Sequence, residues 1–121
     1  MPAALLLIAH GSRHAEANAD LRHVADQLRQ RGHAVVVPAF LELAEPDIDR
    51  GAELCLEAGA TSIVLVPYFL STGVHVARDL SAARDRLAAR HPGVEFRLAA
   101  PLGRHPLLVD VVVDRVREAL L

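Results

Sequence analysis

Four short segments dense in Val, Ile and Leu recur along the chain, Leu5–Ala9, Ala34–Ala39, Ser62–Pro67 and Val94–Ala99, and each is followed by a stretch of helical apolar spacing. The first three are apolar at nearly every position, as strands covered on both faces are, whereas Glu95 and Arg97 make the fourth alternate like a sheet edge. The first intervening stretch carries Leu21, Val24, Ala25 and Leu28 and is closed by Gly32. The second opens at Glu45-Pro46-Asp47, with Pro46 suited to the first helical position, and carries Ile48, Ala52 and Cys55 as far as Gly59. The third carries Val76, Leu80, Ala83 and Leu87 and stops before His91-Pro92-Gly93; the fourth starts at Pro106 and carries Leu108, Val112, Val116 and Ala119. The order βαβαβαβα predicts one α/β domain over residues 1–121: a four-stranded parallel sheet with right-handed crossovers and helices on both faces. With strands ordered 2-1-3-4, as in flavodoxin-like sheets, the winding reverses between strands 1 and 3, and a ligand crevice is expected beyond their carboxyl ends.

Composition narrows the function classes. A chain of 121 residues and 13.0 kDa has room for one compact domain, and 52% hydrophobic with 23% charged residues is a globular balance. Thirteen basic residues, all arginine, face 15 acidic ones; a net charge of -2 leaves no electrostatic footprint for nucleic acid. A single cysteine, Cys55, cannot close an intramolecular disulfide, and its helical register points inward, as a small apolar group rather than a nucleophile. The longest apolar runs, Ala3–Ala9 and Ile63–Leu70, fall short of the roughly 20 residues needed to cross a bilayer. The first run has no basic residue before it, and the His10-Gly11-Ser12 that follows is not a signal-peptide cleavage site, so a cytoplasmic protein with no membrane partner is expected.

Two of the seven histidines border the expected crevice. His10 ends the first strand in Ala9-His10-Gly11-Ser12, and His75 follows the third in Phe69-Leu70-Ser71-Thr72-Gly73-Val74-His75. Gly11 and Gly73 permit unusual backbone angles or close ligand approach, and two facing imidazoles suit a divalent metal or proton transfer. The simpler reading makes His10 a strand end and Ser12 the cap of the first helix. A third makes Gly11, Ser12 and that helix terminus a phosphate cradle. Glu42, after the second strand, fits a ligand, a proton acceptor or a group orienting an imidazole, and equally a solvated carboxylate. Phe40, Tyr68, Phe69 and Leu70 gather near one rim, suited to a flat apolar ligand face or to strand-end core packing. Arg13, Arg78 and Arg104 flank these loops and can take carboxylates. His105, before Pro106, fits a helix cap, and His14, His23, His33 and His91 read as solvated side chains.

Taken together, Leu-Ile-Ala-His10-Gly11-Ser12-Arg13, Ala39-Phe40-Leu41-Glu42 with Glu45-Pro46, Val66-Pro67-Tyr68-Phe69-Leu70 with Gly73 and His75, and Pro101-Leu102-Gly103 with His105-Pro106 resemble the small CbiX/SirB-type sirohydrochlorin chelatases. The resemblance covers nearly the whole chain. It implies a lyase that inserts Co2+ or Fe2+, with Ni2+ a further fit, into sirohydrochlorin for cobalamin or siroheme. His10 and His75 would handle the metal, with Glu42 beside them as the third catalytic residue. The metal is then a substrate, and no tightly bound cofactor or nucleotide is expected, consistent with the lack of a P-loop. The resemblance also implies the short, homodimeric form. The competing reading is a non-catalytic carrier of metal or tetrapyrrole.

Overall fold

The computed structural model describes residues 3–121. Its elements follow in strict alternation: β1 (Ala4–Ala9), α1 (Ala15–Gln30), β2 (Val36–Phe40), α2 (Ile48–Glu57), β3 (Ser62–Pro67), α3 (Val74–Arg90), β4 (Glu95–Leu98) and α4 (Pro106–Leu120). The sheet is parallel throughout, in the order β2-β1-β3-β4. As expected, Leu6 and Ile8 point to one face of β1 and Leu7 to the other, so a continuous apolar run serves two cores. Leu6, Ile8, Ile63 and Leu65 pack beneath α2 and α3 with Ala52, Cys55, Leu80 and Leu87. Leu7, Val36 and Phe40 meet Leu21 and Ala25 of α1 on the opposite face. Cys55 is fully buried, and that burial pushes its thiol up to about 11, which agrees with an inert apolar role.

The second helix begins later than its proline suggests. Pro46 lies outside α2, where its carbonyl accepts from the Phe40 amide at 2.9 Å. Asp47 is the cap instead, its carboxylate accepting from the Arg50 amide at 2.8 Å. The side-chain acceptor satisfies an orphan amide, which proline at the first helical position would not do. Gly51 then lets α2 approach the sheet closely: a Cβ there would sit 2.7 Å from Leu6 Cδ1 and 3.0 Å from Ala39 Cβ. Gly51→Ala is therefore expected to destabilise the fold by about 1–3 kcal/mol through overpacking, despite its better helix propensity. Chemical denaturation checks this, and a stabilised variant would contradict it.

The fourth helix departs from the sequence reading. Leu108, Val112, Val116 and Ala119 have the spacing of a core face, yet no residue of α4 is buried. Among the described residues α4 has no substantial packing against any strand or helix, so the sheet is covered by α2 and α3 on one face and by α1 alone on the other. The β4–α4 connection is the reason. Leu102 donates to the Phe69 carbonyl at 2.9 Å, and Gly103 lies so close to Leu70 that a Cβ would fall 1.6 Å from its carbonyl oxygen. Held there, the chain leaves α4 pointing away from its own sheet.

Candidate metal-handling site

The carboxyl ends of β1, β2 and β3 lie side by side, and the loops that leave them carry the candidate residues. Ala9 pairs with Phe40 and Ile8 with Pro67, so the three loops start level. Backbone bonds continue past the strands: Leu41 donates to Ala9, Glu42 to His10 and Tyr68 to Ile8, at 3.0, 3.0 and 2.7 Å. Gly11 is essential to this course. It has a φ of +98°, and a Cβ on it would lie 1.8 Å from the Glu42 carbonyl oxygen. Only a residue without a side chain lets the β2 loop cross so near.

The crossing brings two predicted residues together. His10 Nε2 lies 2.8 Å from Glu42 Oε1, with both side chains more than half exposed. An ionised carboxylate only accepts hydrogen bonds, so in the neutral imidazole Nε2 carries the proton and Nδ1 keeps its lone pair. That arrangement is characteristic of metal-binding histidines, whose second nitrogen donates to a carboxylate that fixes tautomer and ring orientation.

His75 stands at the start of α3, whose cap is Gly73, and it is exposed at the same end of the sheet. It does not join a closed ligand set with the other two. Among the described residues no group of three His, Cys, Asp or Glu side chains is arranged to hold a metal ion.

The surroundings are mixed. Tyr68 and Leu70 are 37% and 70% exposed and form an apolar rim, with Leu43 exposed across the β2 loop. Phe40 belongs to the core instead: it is 1% exposed, packs with Leu7 and Leu21, and has the Arg22 guanidinium 5.6 Å above its ring. Phe69 is half-buried against the main core. An open hollow of about 890 Å3 runs between the 41–47 loop and Arg50 and Leu54 of α2, with Glu42 on its rim but neither histidine. Arg13, Arg78 and Arg104 are exposed at the same end and enter none of the ion pairs among the described residues.

Two capping roles resolve differently. His105 caps α4 as expected, its Nδ1 accepting from the Leu107 amide at 3.2 Å. Ser12 does not cap α1; its hydroxyl accepts from the His14 amide at 3.0 Å, and the helix starts at Ala15. The His14 amide is thereby turned onto Ser12 and away from any phosphate.

Asn18 was missed by the sequence reading. It is the only buried polar residue among those described, and its amide grips both sides of Ser12. Oδ1 accepts from the Ser12 amide at 3.0 Å, and Nδ2 donates to the Ser12 carbonyl at 2.7 Å. The loop behind His10 is thereby fastened to α1. The signal was present: Asn18 stands three and seven residues before Leu21 and Ala25, a polar residue on an otherwise apolar stripe.

Comparison with known proteins finds relatives over almost the whole chain. The CbiX family model matches residues 4–119. The chloroplastic sirohydrochlorin ferrochelatase of Arabidopsis thaliana is 37% identical over 117 residues, covering 96% of this chain and 52% of that protein. The sirohydrochlorin cobaltochelatase of Priestia megaterium is 34% identical over 118 residues, covering 97% of this chain and 38% of that protein. The chain thus spans 38–52% of the length of these two relatives. Among solved structures, a CbiX protein of Marinobacter aquaeolei VT8 superposes with a TM-score of 0.85 at 34% identity, covering 98% of both chains. SirB of Bacillus subtilis, solved with Fe3+, superposes at 0.87 and 32% identity, covering all of this chain and 48% of its own. A family model that matches almost every residue, together with a 2-1-3-4 parallel sheet that superposes on solved CbiX-type structures, places this chain in the CbiX family.

Proposed function

We propose that the protein inserts a divalent metal, Co2+ or Fe2+ and secondarily Ni2+, into sirohydrochlorin without nucleotide hydrolysis. The observation that carries this reading is the 2.8 Å His10–Glu42 hydrogen bond at the carboxyl end of the sheet, which leaves the His10 Nδ1 lone pair free for a metal or a proton. Insertion removes two pyrrole N–H protons and exchanges the metal's water ligands for ring nitrogens. His10 and His75 serve jointly as metal donors or proton acceptors, and Glu42 orients the first of them. A donor set short of three suits a metal in transit, because the ring must be able to take it away. The unpaired Arg13, Arg78 and Arg104 offer partners for the peripheral carboxylates of the tetrapyrrole, and Tyr68 and Leu70 an apolar edge for its ring.

An anaerobic absorbance time course of sirohydrochlorin with each ion and substoichiometric protein tests this directly. Many turnovers above a protein-free control are expected with Co2+ or Fe2+, and the faster ion indicates cobalamin or siroheme as the destination. Stoichiometric binding without turnover would identify a carrier instead, and no acceleration with any ion would overturn the reading.

A further inference from the structure

The loop that leads from β3 to His75 is held at one place. Between Tyr68 and Gly73 a single backbone hydrogen bond reaches it among the described residues, the 2.9 Å bond that Leu102 donates to the Phe69 carbonyl. Leu70 is exposed, and a hollow of about 330 Å3 opens beside Thr72, lined by Ala77 and Ser81 of α3 and by residues 98–101. Backbone with few bonds of its own and empty space beside it is the part of a fold that shifts most cheaply.

The turn that grips this loop is closed on itself. The His105 amide donates to the Leu102 carbonyl at 3.1 Å, and the His105 ring caps α4. Arg104 between them has a φ of +64°, a left-handed backbone that a non-glycine residue keeps only where its surroundings impose it. Gly103 makes the contact. A Cβ there would fall 1.6 Å from the Leu70 carbonyl oxygen and 2.9 Å from its carbon, backbone atoms that no rotamer change can clear. The φ of Gly103 lies outside the left-handed region, so the neighbouring loop, not the course of the turn, demands glycine.

We propose that Gly103 is a positioning residue for His75. By letting the 102–105 turn close on Leu70, it fixes the β3–α3 loop and so the place of the imidazole at the start of α3. This role rests on the metal handling proposed above for His75. Gly11 does the same for Glu42, so the loops after β2 and β3 are each set by one glycine whose missing side chain admits a carbonyl oxygen. With alanine at position 103 the turn and the loop must separate. The Leu102–Phe69 bond opens with them, and His75 loses its fixed place.

Calorimetric titration of Co2+ into the protein without tetrapyrrole tests this, with G103A, H75A, G103A/H75A and G93A. A Cβ at Gly93 meets nothing within 4 Å, and G93A is expected to bind as the wild type does. G103A is expected to weaken binding by about 10-fold or more, the range for groups that orient a metal-binding histidine. In the H75A background G103A should add less than about twofold, because the residue it positions is gone. Equal losses in both backgrounds would show a merely structural role and overturn the proposal, as would wild-type affinity in G103A. Wild-type affinity in H75A would instead remove the metal-handling reading of His75, and the proposal with it. Amide exchange keeps the test open if G103A does not fold. Coupling between two sites is reciprocal, so Co2+ held by His75 must favour the closed turn. Saturating Co2+ is expected to slow exchange of the Leu102 amide by about threefold or more in the wild type but not in H75A. The Val94 amide, bonded to the His91 carbonyl at 3.0 Å, should not respond. A Leu102 amide indifferent to Co2+ in the wild type would overturn the proposal.

Discussion

Replacing His10 by alanine is expected to lower sirohydrochlorin metallation by at least about 100-fold, because the side chain that holds or deprotonates is then gone. Stability should hardly move. The His10 side chain is 59% exposed and its one polar partner, Glu42, is 56% exposed, so the pair adds little to the fold. The free energy of unfolding should therefore stay within about 0.5 kcal/mol of the wild type. Glu42→Gln keeps a hydrogen-bonding side chain of the same shape but removes the charge that selects the Nε2–H tautomer. A smaller loss of about 10- to 100-fold follows, in the range seen when a partner of a metal-binding histidine is removed. His75→Ala should match His10→Ala in rate if the two imidazoles share the metal. Initial rates at saturating metal, alongside thermal melts, separate the cases; full activity in both histidine variants would dismiss the site.

The second large effect belongs to a residue with no functional group. Gly11→Ala puts a methyl 1.8 Å from the Glu42 carbonyl oxygen at a φ of +98°, so the loops after β1 and β2 must separate. The His10–Glu42 hydrogen bond opens with them, and activity should fall at least as far as in Glu42→Gln. Left-handed strain and the clash together should cost about 1–3 kcal/mol. Gly32→Ala is the control. Its φ is +102°, but a Cβ there meets nothing within 4 Å. It carries only the backbone strain, about 1 kcal/mol, and should keep wild-type turnover. Equal activity in the two variants would show that the close approach at Gly11 does not position Glu42.

Much of this was legible before any coordinates. β3 falls on Ser62–Pro67 as the apolar run indicates, and the other strands shift by one or two residues at their ends. Such periodicities are local properties, written into consecutive residues by the geometry of helix and strand. Short right-handed crossovers narrow the possible strand orders, and the flavodoxin-like order 2-1-3-4 expected among them is the one observed. His10, Glu42 and His75 were legible as candidates because each sits at or just after a strand end, where a parallel sheet presents its loops. Phe40 shows the limit of that logic, since a strand-end aromatic can turn to either face, and here Leu7, Leu21 and Ala25 receive it.

Sequence alone, then, determined the alternating parallel fold and the residue types at the carboxyl ends of its strands. Tertiary structure decided which of those residues meet. Glu42 reaches His10 from 32 positions away because Gly11 admits a passing backbone, and Asn18 secures the loop by gripping Ser12 from a neighbouring helix. The same holds for α4, whose apolar spacing says that it is to be buried but not against what. The contact of Gly103 with Leu70, between residues distant in sequence, directs it away from its own sheet. Periodicity records how much surface an element must hide, whereas its partner depends on long-range contacts that no single segment encodes.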